Sequence, residues 1–340
     1  MHNLAYMKSM KEVIEGFASQ LRHTGSFSET ASTAFSGRKY NNVVIAGMGG
    51  SGIVGNIIQT YVADKLEVPL LVNKGYNIPA FVGPDTLFIA CSFSGNTEEI
   101  ISAVREAMEA GAVIGFVTSD GELMRIAREH NIPLAAIPKE LKQPRASLGY
   151  QVTELLYLLH YAGLLNNVFK TELNQSINLL QEQAGMIKVQ ASALANALKG
   201  KLPILYAGSA FEAVAMRFQQ QLNANSKQLA HVGTFPEMNH NEVEGWQHPQ
   251  ELFGQVAVLC IKTAYDNPRI ASRMALTRPL IERKVKTVME VEAVGATFLE
   301  QLFYLVHLFD WASLYLAELN SEDPNINDNI NYLKGEISKV

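Results

Sequence analysis

Apolar and β-branched residues recur along the first half of the chain in short runs, and helical stretches separate these runs. The runs are apolar at consecutive positions, which is typical of parallel strands that are buried on both faces. We predict strands at residues 43–46, 68–72, 86–90, 112–118 and 132–136. Helices are predicted between them, including residues 53–62 and 97–110. The alternation of strand and helix indicates an α/β fold built on a parallel sheet flanked by helices.

The same alternation returns in the second half of the chain, after a helical region that runs from residue 152 to about residue 198. Further strands are predicted at residues 204–207, 256–261 and 286–291, and residues 297–319 form a long helix apolar enough to be buried. The segments VVIAGMGGSGIVGNIIQ and PILYAGSAFEAVAMRFQ both read as strand, glycine-containing turn and helix. This weak repeat predicts two copies of one α/β unit.

We therefore expect three segments along the chain. Residues 1–35 form an N-terminal helix and a loop, residues 36–165 a first domain, and residues 185–340 a second domain with C-terminal helices. A length of 340 residues suits two domains of roughly 150 residues each.

Composition narrows the class of protein. The chain is 48% hydrophobic and 18% charged, as in ordinary soluble globular proteins. Its net charge of −5 argues against a nucleic-acid partner, and its apolar runs fall short of the ~18–20 residues that span a bilayer. Cys91 and Cys260 lie in apolar runs and form neither a disulfide framework nor a metal motif. We expect a cytoplasmic protein that binds neither membrane nor nucleic acid.

The first turn with candidate chemistry is GMGGSG at residues 47–52, between a predicted strand and a helix. It matches the glycine pattern of dinucleotide-binding proteins, but that function requires an acidic residue at the end of the next strand. Asn73 and Lys74 stand there instead. A nicotinamide cofactor is therefore disfavoured, while a tight turn without a ligand remains an alternative.

The second turn, SFSGNT at residues 92–97, also runs from a strand into a helix. Ser92, Ser94 and Thr97 place three hydroxyls where the free N–H groups and the positive end of a helix attract an anion. Neither lysine nor arginine occurs in this turn, and the Walker motif is absent from the sequence. These features favour a small phosphomonoester over a nucleoside triphosphate. The alternative is that the hydroxyls only cap the helix.

The Ser-x-Ser-Gly-x-Thr pattern of this turn resembles the sugar-isomerase (SIS) domain family, whose members bind phosphosugars. With the glycine-rich turn, Gln143-Pro144-Arg145-Ala146, the PEMNHNEVEGW segment and the C-terminal tail, the chain from about residue 40 resembles bifunctional phosphoglucose/phosphomannose isomerases. The resemblance implies two tandem SIS domains, each an αβα sandwich, in a homodimer. It also implies interconversion of glucose 6-phosphate or mannose 6-phosphate with fructose 6-phosphate, without a metal or other cofactor.

Site residues follow from the resemblance. The residues implied to bind the phosphate or the substrate are Gly49, Gly50, Ser51, Ser92, Ser94 and Thr97. Arg145 would stabilise charge on an enediolate, and His240 would open the sugar ring, supplied in some relatives by the other subunit. Lys334 would reach the ring. A histidine titrates near neutral pH and an arginine is always charged, which suits these tasks. On the residues alone, His240 could instead be structural and Arg145 could form a surface salt bridge.

The chain departs from the family at one position. A glutamate is expected sixteen residues before the histidine as the base that moves a proton between C1 and C2, and Ala224 stands there. A methyl group cannot accept a proton, and loss of a general base costs ~10²–10⁴ in rate. Three explanations stay open: a weakly active or inactive relative, replacement of the base by another carboxylate such as Glu237 or Glu242, or an altered form of an active parent.

The leading hypothesis is a phosphosugar aldose–ketose isomerase whose activity is impaired at Ala224. One alternative is a sugar-phosphate-binding sensor or regulator without catalysis. Another is an isomerase for a different phosphosugar, such as an aminosugar or a pentose phosphate. His240 and Arg145 favour an enzyme, because phosphate binding alone requires neither, whereas Ala224 favours a binding protein.

Overall fold

The computed structural model describes residues 9–23, 33–139, 141, 143–337 and 339. The chain divides into two α/β units. Unit 1 contains Glu15–Gln181 and Thr297–Glu300, and unit 2 contains Ser9–Ile14, Glu182–Ala296 and Gln301–Val340. Two short helices, α1 (Met10–Glu15) and α2 (Phe17–Leu21), lie in the predicted N-terminal segment. Most of the loop expected before the first strand, at residues 24–32, lies outside the described residues.

Unit 1 is built on a five-stranded parallel sheet with the order β2-β1-β3-β4-β5. Its strands are β1 (Asn42–Ala46), β2 (Leu70–Asn73), β3 (Thr86–Ser92), β4 (Val113–Thr118) and β5 (Leu134–Ala136). Its further helices are α3 (Gly49–Val62), α4 (Glu98–Glu109), α5 (Gly121–His130), α6 (Leu148–Tyr161) and α7 (Val168–Glu182). One face of the sheet packs against α4 and α5 through Val44, Phe88, Phe116, Ile100 and Leu123. Every residue of β3 is buried, as expected for a strand covered on both faces.

Unit 2 is built on a four-stranded parallel sheet with the order β7-β6-β8-β9. Its strands are β6 (Leu202–Gly208), β7 (His231–Phe235), β8 (Val256–Lys262) and β9 (Thr287–Glu292). Its helices after α1 are α8 (Ala184–Leu198), α9 (Glu212–Asn225), α10 (Glu242–Gly245), α11 (Pro268–Glu282), α12 (Phe298–Leu319) and α13 (Asp328–Ile337). In both sheets the first strand lies between the second and the third. The repeat seen in the sequence therefore corresponds to one shared topology.

The predicted α/β class is confirmed, and all eight predicted strands are present with ends shifted by no more than two residues. The sequence prediction missed β7. This strand lies at a sheet edge and has only one fully buried residue, so it shows no apolar run. The helical region predicted at 152–198 is three helices, because Gly163 adopts a left-handed φ of +75° after α6 and a second break separates α7 from α8 at Gln183.

The long helix α12 is apolar enough to span a membrane by length and composition. However, 83% of its most apolar 18-residue window is buried inside the protein. Such burial is that of a core helix, as the sequence predicts.

A stripe of polar side chains joins α9 to α12 within unit 2. Arg217 Nη2 donates to Asp310 Oδ2 at 3.0 Å, and Gln221 Nε2 donates to Asp310 Oδ1 at 2.8 Å. One turn further on, Asn225 Nδ2 donates to Ser313 Oγ at 2.9 Å. Arg217, Gln221 and Asn225 follow one another at intervals of four residues, so they share one face of α9. The stripe thereby sets the rotation of α9 about its own axis.

Replacing Asp310 with Asn should lower the free energy of unfolding of unit 2 by about 3–5 kcal/mol, because the buried Arg217 guanidinium loses its counter-charge. Both tryptophans of the chain, Trp246 and Trp311, lie in unit 2. Urea unfolding followed by tryptophan fluorescence therefore reports on this unit.

The matched control is Glu282→Gln, which removes one carboxylate from a solvent-exposed pair with Arg278 on α11. Its expected change is below about 1 kcal/mol. The double variant Arg217→Met/Asp310→Leu should recover most of the loss caused by Asp310→Asn, because no buried charge remains. An Asp310→Asn variant as stable as Glu282→Gln would contradict the role given to the stripe.

Candidate active site

The candidate site of unit 1 lies at the carboxyl ends of β1 and β3. These strands are neighbours, and the chain leaves them by α3 and α4. In the order β2-β1-β3 the chain reverses direction across the sheet at this point, and open α/β sheets bind ligands at such a switch point. No described side chain caps the first turn of α3 or of α4. Their first N–H groups are therefore available to an anion.

The first turn depends on two glycines. Gly49 begins α3 with φ +51°, which favours a residue without a Cβ. A Cβ on Gly50 would lie 2.8 Å from Arg145 Cα and 2.9 Å from Arg145 N. The start of α3 is thus packed directly on the backbone of Arg145. Gly50 is needed for this close approach, in addition to the phosphate contact that the sequence predicts for it.

The second turn is held by the segment that leads into α5. Gly95 has φ +68°, and a Cβ there would lie 1.8 Å from Asp120 O. Ser119 Oγ donates to Phe93 O at 2.6 Å, and Leu123 N donates to Gly95 O at 3.0 Å. Because these bonds come from the residue after β4 and from α5, contacts within unit 1 fix the shape of the turn.

The hydroxyls of the two turns are unequally exposed. Ser92 is 2% exposed, and its Oγ lies 2.9 Å from Thr97 Oγ1. Ser51 is 4% exposed, and its Oγ accepts a hydrogen bond from Phe93 N at 3.3 Å, which ties the first turn to the second. Ser94 is exposed and Thr97 is partly exposed. We call the two turns, residues 47–52 and 92–97, the cradle. Ser94 and Thr97 present its accessible hydroxyls.

Arg145 lies in a short 3₁₀ turn, Pro144–Ser147, immediately before α6. It is 9% exposed, and its Nη1 donates to Gln143 Oε1 at 3.0 Å. The alternative of a surface salt bridge does not fit so buried a side chain. The backbone of Arg145 thus lies against the start of α3, and its side chain carries a permanent positive charge.

The three remaining predicted residues lie in unit 2, and Ala224 occupies the last turn of α9. Lys227 adopts a left-handed φ of +54° just beyond this helix. Its Nζ donates to Ala224 O and to Ile326 O, both at 2.6 Å. The segment that leads into α13 is therefore bound to the end of α9, beside Ala224. Lys334 is exposed, eight residues further along on α13.

His240 ends the 3₁₀ turn Glu237–His240, and its side chain is exposed. This loop is held from α11, because the side-chain amide of Asn239 donates to Thr277 Oγ1 at 2.8 Å. An exposed imidazole does not suit the alternative of a structural histidine that bonds within its own loop.

The two carboxylates considered as substitute bases differ in their surroundings. Glu242 accepts hydrogen bonds from Tyr206 Oη at 2.5 Å and from His231 Nε2 at 3.1 Å. Burial, followed by the contact with Glu242, raises the pKa of Tyr206 and keeps its phenol a donor. Glu237 is exposed and accepts from Asn241 Nδ2 at 2.8 Å. Glu242 thus organises the end of the sheet, whereas Glu237 is the more accessible of the two.

The equivalent switch point of unit 2, between β6 and β8, differs in charge from that of unit 1. A Cβ on Gly208, at the end of β6, would lie 2.0 Å from Asp266 Oδ1. The other oxygen of this carboxylate accepts from Thr263 N at 2.8 Å. Burial raises the pKa of Asp266, partly offset by this hydrogen bond. A carboxylate therefore occupies the position where unit 1 is open to an anion.

The structure thus gathers seven of the predicted residues around one switch point in unit 1: Gly49, Gly50, Ser51, Ser92, Ser94, Thr97 and Arg145. Sequence reasoning missed Gln20, Gln151 and Lys227, which make contacts around the predicted residues. The sequence signal for Gln151 is weak, because it is one of several polar residues in a largely apolar helix. In the described part of the chain, no cluster of three or more His, Cys, Asp or Glu side chains could hold a metal ion.

The two parallel sheets place the chain in the α/β class, and the comparisons with known proteins identify it as a SIS-domain protein. The fold agrees with the crystal structure of tagatose-6-phosphate ketose/aldose isomerase from Escherichia coli, with a TM-score of 0.70 and 15% identity over 94% of this chain and 97% of that one. The family model "Bacterial phospho-glucose isomerase C-terminal SIS domain" matches residues 187–337.

The sequence comparisons define the family more narrowly. The bifunctional phosphoglucose/phosphomannose isomerase of Caldicellulosiruptor bescii is 34% identical over 97% of this chain and 99% of its own length. The protein of the same name from Aquifex aeolicus is also 34% identical, over 98% of this chain and 99% of its own length. The chain belongs to the bifunctional phosphoglucose/phosphomannose isomerase family.

Replacing Gly50 with Ala should displace the Arg145 turn, because the new Cβ would lie 2.8 Å from Arg145 Cα. Such overpacking typically costs about 1–3 kcal/mol of stability. We expect faster amide hydrogen exchange in residues 145–148 and weaker binding of inorganic phosphate by calorimetry. The control is Gly83→Ala, whose Cβ would meet nothing within 4 Å. Equal hydrogen exchange and equal phosphate binding in the two variants would refute the close packing of Gly50 on Arg145.

Proposed function

We propose that this chain binds a hexose 6-phosphate at the unit 1 cradle and belongs functionally to the aldose–ketose isomerases. The observation that carries the proposal is the packing of Arg145 on the start of α3, beside two uncapped helix N-termini at the switch point. The family relatives support isomerisation over a purely regulatory function. The phosphate would be bound by backbone N–H groups of Gly49 and Gly50 and by the hydroxyls of Ser94 and Thr97, with Ser51 and Ser92 behind them.

The reaction requires three further groups. An acid must protonate the ring oxygen to open the hemiacetal, and we assign this step to His240, whose exposed imidazole can donate a proton to a bound sugar. A cation must stabilise the enediolate oxygen that develops when a proton leaves C2, and the permanent charge of Arg145 suits it. We assign Lys334 a contact with the sugar. A base must carry the proton between C2 and C1, and Ala224 cannot do so.

Of the explanations for Ala224, we favour a chain that binds substrate and turns it over poorly. Glu242 is engaged by Tyr206 and His231, which weighs against its use as the carbon base. Glu237 is accessible and remains the alternative base to test by substitution.

We also propose a homodimeric, cytoplasmic enzyme. The outer face of α13 supports a second copy as partner, because Ile330, Leu333 and Ile337 are each about half exposed, at 48, 57 and 52%. The two cysteines are free and buried, which suits a reducing compartment. Light scattering of the purified chain tests the dimer.

Fructose 6-phosphate, glucose 6-phosphate and mannose 6-phosphate should each raise the melting temperature of the chain, because a ligand that binds only the native state stabilises it by about 2.7 kcal/mol at 100 times its Kd. Fructose without phosphate should leave the melting temperature unchanged. Glucosamine 6-phosphate and ribose 5-phosphate, added in the same assay, test the alternative substrates. If no phosphosugar stabilises the chain, the proposed binding function fails.

Ala224→Glu should raise kcat/KM for glucose 6-phosphate and mannose 6-phosphate by ~10²–10⁴, because it restores a carboxylate base. Ala224→Gln, which has the same length but no basic group, should remain at the level of the parent. Exchange of the C2 proton in D₂O, followed by NMR, measures the step directly. Ordinary turnover by the unsubstituted chain would show that position 224 is not the base site, and Glu237→Gln would then identify a substitute.

A further inference from the structure

The carbonyl groups of the two residues on either side of Arg145 each accept a hydrogen bond from a buried side chain. Pro144 O accepts from Ser147 Oγ at 2.7 Å, and Ala146 O accepts from Gln20 Nε2 at 2.9 Å. Ser147 is 0% exposed and Gln20 is 4% exposed. Hydrogen bonds on both sides of Arg145 therefore hold its backbone in place. Gly50 of α3 packs against the same backbone.

Behind Ser147 lies a chain of hydrogen bonds that reaches the sheet. Gln151 Nε2 donates to Ser147 Oγ at 2.5 Å, and Cys91 Sγ donates to Gln151 Oε1 at 2.9 Å. The direction of donation along these hydrogen bonds is fixed at Pro144, because a carbonyl oxygen can only accept. Ser147 must donate to Pro144 O, so it accepts from the Gln151 amide, whose oxygen is then left for the Cys91 thiol.

The far end of this chain is the phosphate cradle itself. Cys91 directly precedes Ser92 on β3 and is 0% exposed. Burial raises the pKa of the Cys91 thiol to about 12, partly offset by a hydrogen bond with Ser51. The thiol therefore keeps its proton at neutral pH and remains a donor to Gln151. Cys91, Gln151 and Ser147 therefore form one buried chain of hydrogen bonds that runs from the residue before Ser92 to the Arg145 turn.

Gln20, on α2, also holds the Arg145 turn in place. Its Oε1 accepts from Gly149 N at 3.1 Å while its Nε2 is bound to Ala146 O, so a single amide bridges the Arg145 turn and the first turn of α6. A Cβ on Gly149 would lie 2.7 Å from Gln20 Cβ, so this glycine makes the approach of α2 feasible. The helix before the first strand is thereby part of the support of Arg145.

We propose that Gln151 and Gln20 are positioning residues for Arg145, which hold its guanidinium in register with the phosphate cradle. The inference rests on the charge-stabilising role proposed above for Arg145. Both glutamines are buried, and we place neither in contact with the substrate. Loss of either should change the placement of Arg145 and hence kcat, while the affinity for phosphate at the helix N-termini changes little.

The first test needs no enzymatic activity. In the unsubstituted chain, the Ala146 amide donates to Gln143 O at 2.9 Å and closes the Arg145 turn. Gln151→Met and Gln20→Met should each speed hydrogen exchange at this amide at least about tenfold, the equivalent of one lost hydrogen bond. Thr153→Val, a change at a 0% exposed position on the same helix, should alter it less than about threefold. Unchanged exchange in both glutamine variants would overturn the proposal.

The second test is a double-mutant cycle in the Ala224→Glu chain. Gln151→Met should lower kcat about tenfold and change KM less than about threefold, because its effect passes through a transition-state contact. In an Arg145→Met background, Gln151→Met should have no further effect on kcat, since the positioned group is gone. Equal losses in both backgrounds would mean that Gln151 acts elsewhere, and would also overturn the proposal.

The two tests separate the failure of this inference from the failure of the proposed function. If Ala224→Glu is inactive, or if Arg145→Met leaves kcat unchanged, the role given to position 224 or to Arg145 is wrong. Hydrogen exchange then decides alone whether the glutamines hold the Arg145 turn. Faster exchange combined with additive effects of Gln151→Met and Arg145→Met on kcat would contradict the proposal. The turn would then move without changing the contribution of Arg145 to kcat.

Discussion

The adjacency of β1 and β3 is the constraint on which the candidate site depends. Both faces of the unit 1 sheet are covered, so the helices that follow these two neighbouring strands pass to opposite faces. Their N-termini therefore start side by side at one edge of the sheet. Gly50 and Gly95 then permit backbone approaches that any side chain would block. The strand order thus determines where the cradle lies, and the glycines determine how closely its segments approach.

The second unit repeats this topology with a different charge at its switch point. Its strands repeat the order of unit 1, and Gly208 ends β6 as Gly47 follows β1. Yet Asp266 lies against Gly208, and a carboxylate at that position repels an anion. The two units thus share a strand order and differ in the charge at their switch points.

Structural features that depend on contiguous residues could be predicted from the sequence. The buried strands and the hydroxyl-rich turn at Ser92 are short, contiguous signals. In contrast, β7 was missed because an edge strand with one buried residue carries no apolar run. The dual task of Gly50 and the contacts of Gln20 and Gln151 are also invisible in the sequence, because each joins residues that are far apart along the chain. Such contacts depend on packing, which residue spacing does not encode.

The polar stripe on α9 has a consequence for how activity could be lost in this chain. Asn225 faces α12, and Ala224, one residue earlier, lies about 100° away around the helix. The position of the expected base is therefore outside the contacts that hold the helix in place. Alanine also has the highest intrinsic helix propensity. Position 224 can exchange a carboxylate for a methyl group with little effect on folding. The base that we propose for position 224 is therefore separable from the architecture, and selection on stability alone would not restore it.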